Sequence, residues 1–136
     1  MSCRCSCREL YLIIIKDNKI NLLQVGAKSD GTTDIGELVN EALNKDLRVY
    51  VPNGTYLVTT TINPKGNNEL IIDGTLNYTG NDSCIKIDTN KNYVVTKDIT
   101  TTNGIPVLLE NNDATTTHCE NNKLYFKGSI SVIPNV

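Results

Sequence analysis

Several common signals are missing from this sequence, and each absence closes off a class of function. No run approaches the roughly 20 apolar residues that a membrane span requires. Leu10 to Ile15 is an apolar run of six, with no small-residue cleavage site behind it, so no secretory leader is evident. No basic patch stands out: 13 Lys and Arg are set against 15 Asp and Glu for a net charge of −2, which argues against a nucleic-acid partner. No disulfide framework is present. The five cysteines are odd in number, Cys3, Cys5 and Cys7 alternate in one short stretch, and Cys84 and Cys119 stand alone. Alternating thiols suit a soft metal, but a zinc site wants four ligands in spaced pairs, and only the adjacent His118 and Cys119 lie downstream. The amino terminus therefore reads as a frayed end rather than a metal site. Cys84, beside Ile85, reads as a small buried hydrophobe.

Apolar residues are also scarce, at 39% of a 136-residue chain, a length that fits one domain. Asn and Thr fill the deficit. Thr favours strands, and Asn favours turns and stacks in ladders along a solenoid; a biased genome composition is the plainer explanation.

The informative stretch runs from Leu23 to Ile62. An extended entry ends in a turn at Gly26, Ser29, Asp30 and Gly31. Asp34 is placed to cap a helix over residues 35–44, in which Ile35, Leu38, Val39, Ala42 and Leu43 form one apolar face. Val49 and Val51 then make a strand, Pro52, Asn53 and Gly54 turn the chain, and Tyr56, Leu57 and Val58 open a second strand.

This order resembles the amino-terminal segment of the pectate-lyase-like superfamily, which includes pectin-degrading enzymes and phage tailspike and tail-fibre proteins. The residues that carry the likeness are Gly26, Ala27, Asp30, Gly31, Asp34, Val49, Tyr50, Pro52, Gly54, Thr55 and Tyr56, within residues 22–62. The resemblance implies an all-β fold: a right-handed, single-stranded parallel β-helix, or solenoid, whose open end is covered by the short helix. Residues 1–21 would be an arm, disordered or a single strand, and residues 22–136 the β-helix domain.

The rest of the chain agrees with a solenoid. Gly54-Thr55-Tyr56 and Gly74-Thr75-Leu76 lie twenty residues apart, and each follows an apolar strand, so Val49–Val51 and Leu70–Ile72 should stack on successive coils. Further strands are expected over residues 84–87, 93–96, 105–109 and 124–132, with Asn-, Asp- and Gly-rich turns between them, for about four or five coils.

Two functions are compatible with this pattern. The first is a receptor-binding module of a virion tailspike or tail-fibre-like protein that engages surface polysaccharide, associates as a homo-oligomer (a trimer by the tailspike resemblance), and is virion-associated, or cytoplasmic before assembly. The second is a polysaccharide-degrading enzyme. A lyase would hold Ca²⁺ on carboxylates and use an Arg or Lys base, and a β-helix glycosidase would pair acids on neighbouring coils. The candidate acids are Asp73, Asp88 and Asp98, with Asp82 and Glu110 behind them. None falls in a dense carboxylate motif, and most sit beside turn residues, which favours the non-enzymatic reading. Tyr50, Tyr56, Tyr78, Tyr93 and Tyr125 would stack on sugar rings if they lined one exposed face, and would be strand packing otherwise.

Overall fold

A computed structural model describes residues 19–45, 48–110 and 120–133. Cys3, Cys5, Cys7, His118 and Cys119 lie outside the described residues.

The chain winds through three parallel sheets and returns to each in turn. The first sheet takes β1 (Ile20–Asn21), β3 (Val49–Val51), β5 (Glu69–Ile72), β8 (Tyr93–Thr96) and β11 (Lys123–Phe126). The second takes β2 (Asp30–Asp34), β4 (Thr55–Val58), β6 (Thr75–Tyr78), β9 (Ile99–Thr101) and β12 (Ile130–Val132). The third pairs β7 (Ser83–Ile87) with β10 (Ile105–Leu109), and an Ile62–Ile85 bridge extends it one coil down. Every strand pair is parallel, and five coils are stacked in the first two sheets. This is a parallel β-helix.

Strand alternation explains why these residues form it. One side chain in two points inward, and the register stacks like on like. Ile20, Val49, Leu70, Val94 and Leu124 make one inner column through all five coils. Tyr56, Leu76, Ile99 and Ile130 make another in the second sheet. The twenty-residue echo is the pairing of Thr55 with Thr75, and Val49–Val51 stack residue for residue on Leu70–Ile72. Each fully buried aliphatic side chain contributes about 1.5–3 kcal/mol.

The amino-terminal end is closed by α1 (Gly36–Leu43) and a 3₁₀ turn over Leu22–Val25. Ile35, Val39, Ala42 and Leu43 are buried over the first coil, and Leu38 is partly buried. The helix starts one residue later than expected, and Ile35 holds the capping position with no side-chain cap. Asp34 reaches round it instead: Oδ1 accepts the Gly36 N–H at 3.2 Å and the Thr59 N–H at 2.6 Å, and Oδ2 accepts the Thr60 hydroxyl at 3.2 Å. One carboxylate thus joins the helix start to the second coil. Gly36 is required there, because a Cβ would stand 2.3 Å from the Thr60 carbonyl oxygen.

Other expectations need correction. The entry over residues 22–25 is a 3₁₀ turn rather than extended, because the Asn21 side chain accepts the Leu23 N–H and Leu22 buries itself. Asp30 and Gly31 open strand β2 rather than a plain turn. Asp30 accepts the Thr32 and Thr33 N–H groups, and the register of β2 on β4 shifts accordingly. Strand β9 was not anticipated. The run over residues 124–132 is two strands, with a break at Lys127, Gly128 and Ser129 where Ser129 turns to hydrogen-bond Asp98. Ile20 and Asn21, placed in the arm, pair with β3 and belong to the first sheet.

An asparagine column replaces apolar packing at the corner before the first sheet. Asn92 Oδ1 accepts the Gly66 and Asn68 N–H groups, and its amide donates to Thr89 and to Asn122 Oδ1. Asn68 in turn donates to the Leu43 carbonyl, one of the unpaired acceptors at the end of α1.

Two stability measurements test this account. Asn92→Ala strands buried N–H groups and should cost roughly 3 kcal/mol in urea unfolding. Thr96 and Thr101 are fully buried with hydroxyl oxygens that have no hydrogen-bond partner. Thr96→Val and Thr101→Val should each raise stability by about 1 kcal/mol, measured the same way.

Candidate functional site

The outward side chains of the first sheet form the most functionally suggestive surface. One outward row runs Asn21, Tyr50, Ile71, Val95 and Tyr125, and the next runs Glu69, Tyr93 and Lys123. Tyr93 and Tyr125 are diagonal neighbours on adjacent coils, with ring centroids 5.6 Å apart and planes inclined by 59°. They are 37% and 51% exposed, beside an apolar floor at Val95 and Ile71.

Of the five tyrosines singled out in the sequence, this face gathers Tyr50, Tyr93 and Tyr125. Tyr56 and Tyr78 point into the core, where Tyr56 donates to the Pro52 carbonyl at 2.8 Å and Tyr78 accepts the Asp82 N–H at 3.1 Å. Burial pushes the Tyr56 hydroxyl above its ordinary pKa.

Charged groups frame the face. The Lys19 ammonium sits 4.8 Å above the centre of the Tyr50 ring. Arg48 pairs with Glu69 at 2.6 Å, and Lys127 pairs with Asp73 two coils away. With Lys97 and Lys123 nearby, basic groups outnumber Glu69, Asp73 and Asp98 at this surface, although the chain as a whole is acidic. Asp73 is its electrostatic centre. The Lys127 ammonium, then the hydrogen bond from Tyr50, hold its carboxyl below the ordinary value against the opposing effect of partial burial. The same bond to Asp73 raises the Tyr50 hydroxyl.

The candidate acids are divided among the corners. Asp73 and Asp98 occupy the corner between the first and second sheets, on neighbouring coils. Asp98 Oδ1 accepts the Ser129 N–H at 2.7 Å and its hydroxyl at 3.2 Å, which fixes the turn into β12. Asp82 lies between the second and third sheets and accepts the Ser83 hydroxyl at 3.4 Å. Asp88 and Glu110 follow β7 and β10 at the third corner, one coil apart, with the Glu110 N–H donating to the Ile87 carbonyl. Asn63 donates to Asp88 at 3.0 Å, and Lys86 pairs with Glu110 at 3.2 Å, which raises the lysine pKa. Among the described residues no three His, Cys, Asp or Glu groups converge to hold a metal ion. Cys84 is buried, and burial pushes its thiol up to about 12, far from a reactive thiolate.

Sequence reasoning missed the ion pair of Asp73 with Lys127 and the seat of Lys19 on Tyr50. The first joins residues 54 apart. Only a coil-by-coil register could have found it.

Three parallel sheets wound by one chain, with a helical lid, define a parallel β-helix protein. The family model described as rhamnogalacturonase A/epimerase, pectate lyase-like, matches residues 19–129, and the chain belongs to that family. Neither the curated proteins nor the solved structures gave a match.

The depressed Asp73 carboxyl makes stability depend on pH. Its folded-state value lies below the ordinary 3.8, so the stabilisation is complete above that value and is lost as pH falls through the folded one. Asp73→Asn should therefore lower the melting temperature at pH 6, and the difference from the parent chain should shrink as pH falls below 3.8, measured by calorimetry.

Proposed function

We propose that this chain binds polysaccharide through the outer face of its first sheet, as the receptor-binding module of a virion tailspike or tail-fibre-like protein, without cutting the glycan. The observation that carries this reading is the exposed Tyr93–Tyr125 pair on the outward face of the first sheet. Tyrosine rings combine an apolar face with a hydrogen-bonding tip, which matches a sugar ring with its C–H patches and hydroxyls. The surrounding Lys19, Arg48, Lys97, Lys123 and Lys127 favour acidic sugars by raising their local concentration. The virion assignment is supported by the resemblance of residues 22–62 to the opening segment of tailspike proteins.

One observation favours an enzyme. Asp88 and Glu110 stand on neighbouring coils, the arrangement a β-helix glycosidase would use. Their partners weigh against it: Lys86 neutralises Glu110, and Asn63 holds Asp88.

Titration calorimetry with polygalacturonate and with a bacterial capsular glycan separates the readings. Tyr93→Ala and Tyr125→Ala should each weaken binding by about tenfold, or 1.4 kcal/mol. Lys86→Ala, on another sheet, should leave binding unchanged. Equal affinity in wild type and both tyrosine variants would remove the face from consideration. Release of reducing ends that is abolished by Asp88→Asn or Glu110→Gln would establish the enzymatic reading instead.

A further inference from the structure

The corner that follows the first sheet carries three charged residues in one column. Ile71 pairs with Val95, and Thr96 pairs with Phe126. Asp73 lies two residues beyond Ile71, Lys97 two beyond Val95, and Lys127 one beyond Phe126. Successive coils therefore present Asp73, Lys97 and Lys127, stepped by about 4.8 Å per coil. The packing agrees: a Cβ at Gly128, just after Lys127, would stand 3.0 Å from Lys97 Cγ.

The ion pair in this column skips a neighbour. Lys127 reaches past the level of Lys97 to the Asp73 carboxylate, which also accepts the Tyr50 hydroxyl. Among the described residues Lys97 has no carboxylate within ion-pair distance. Asp98, its neighbour in sequence, uses Oδ1 to hold the Ser129 N–H and hydroxyl. Two ammonium groups on adjacent coils thus share the Asp73 carboxylate. Like charges side by side on a sheet are destabilising, and one further anion between them would relieve that. The Lys127 side chain is 47% exposed and Lys97 is half-buried, so solvent reaches both.

We propose that Lys97 and Lys127 form a subsite for a glycan carboxylate, and that Asp73 is the resident counter-ion which this carboxylate displaces. The inference rests on the binding role given above to the tyrosine face. Tyr125 precedes Lys127 by two residues on the same outward side of β11, about 7 Å away. A sugar stacked on Tyr125 can therefore set its carboxylate between the two ammonium groups. A carboxylate is the group indicated, because Asp73 already places one against Lys127. Other cations of this face are engaged: Arg48 holds Glu69, and Lys19 sits over the Tyr50 ring.

Asp73 then acts against the ligand. While it occupies Lys127 it competes for the same ammonium group, and it holds down the affinity of the face for acidic sugars. A carboxylate that merely shaped the face would have the opposite effect, and its loss would weaken binding.

Titration calorimetry with galacturonate, mannuronate and glucuronate oligosaccharides, each as the acid and as its methyl ester, tests the subsite. The ester keeps the sugar and removes the charge. The parent chain should bind the acid form of a recognised series more tightly than the ester, with the gap closing in high salt. Lys97→Gln should reduce that preference about threefold. Asp73→Asn should strengthen acid-form binding about threefold. Lys65→Gln, an equal loss of charge at an exposed position in the corner before the first sheet, should alter neither form. Tyr125→Ala should weaken both forms, which reports on the face and not on the subsite. Equal affinity of the parent chain for acid and ester, or weaker acid-form binding by Asp73→Asn, would overturn the subsite and leave the tyrosine face standing. Absence of binding to every series would remove the face, and the subsite with it.

Discussion

No coil of this protein can bury its own inner face, and the whole structure follows from that constraint. A single turn of the chain supplies one short strand per sheet and one layer of apolar side chains, which is far too little to exclude water. Burial comes only from the coil above and the coil below, so register must be kept from coil to coil. A slip of one residue would turn each inner column outward. The column from Ile20 to Leu124 holds one apolar residue at every level because each level depends on its neighbours.

The corners must absorb every irregularity that the sheets cannot. Paired residues on successive coils are 21 apart between β3 and β5 and 20 apart between β4 and β6, then 24 and 23 apart on the next coil, and 30 or 31 apart between β8 and β11 and between β9 and β12. The sheets stay in register through this variation because polar side chains pin the turns. Asn68, Asn92 and Asn122 do so before the first sheet, Asp98 before the second and Asp34 just after it. These groups satisfy backbone N–H and C=O groups that no ladder reaches. The same duty engages Asp98, one of the acids that could have been catalytic.

What was legible in the sequence depended on how local the signal was. The lid helix and the β3–β4 hairpin-like corner could be read because helical spacing and a Pro-Asn-Gly turn lie within a few residues of one another. The twenty-residue echo was visible because the turn at Asp73 and Gly74 is short. Strand β2 was hidden because Asp30 and Gly31 carry a turn signature, and β9 because a three-residue Ile-Thr-Thr strand has too little pattern to register. The tyrosine face was out of reach for a different reason. Whether a tyrosine points in or out is a matter of parity within its strand, and Tyr78 and Tyr93 differ only in that. Their neighbours across the sheet are set by coil lengths that vary from one coil to the next.

The placement of the lid has a consequence for the order in which the molecule can be made. The closed end, with α1 and the buried Leu22, Ile35 and Leu43, belongs to the first residues of the solenoid to leave the ribosome. Each later strand then meets a finished edge of matching register, and it need only zip onto a template already in place. Loop closure is confined to one coil at a time, which spares this chain the long-range search that slows most all-β proteins. At every stage the growing tip is the least protected part.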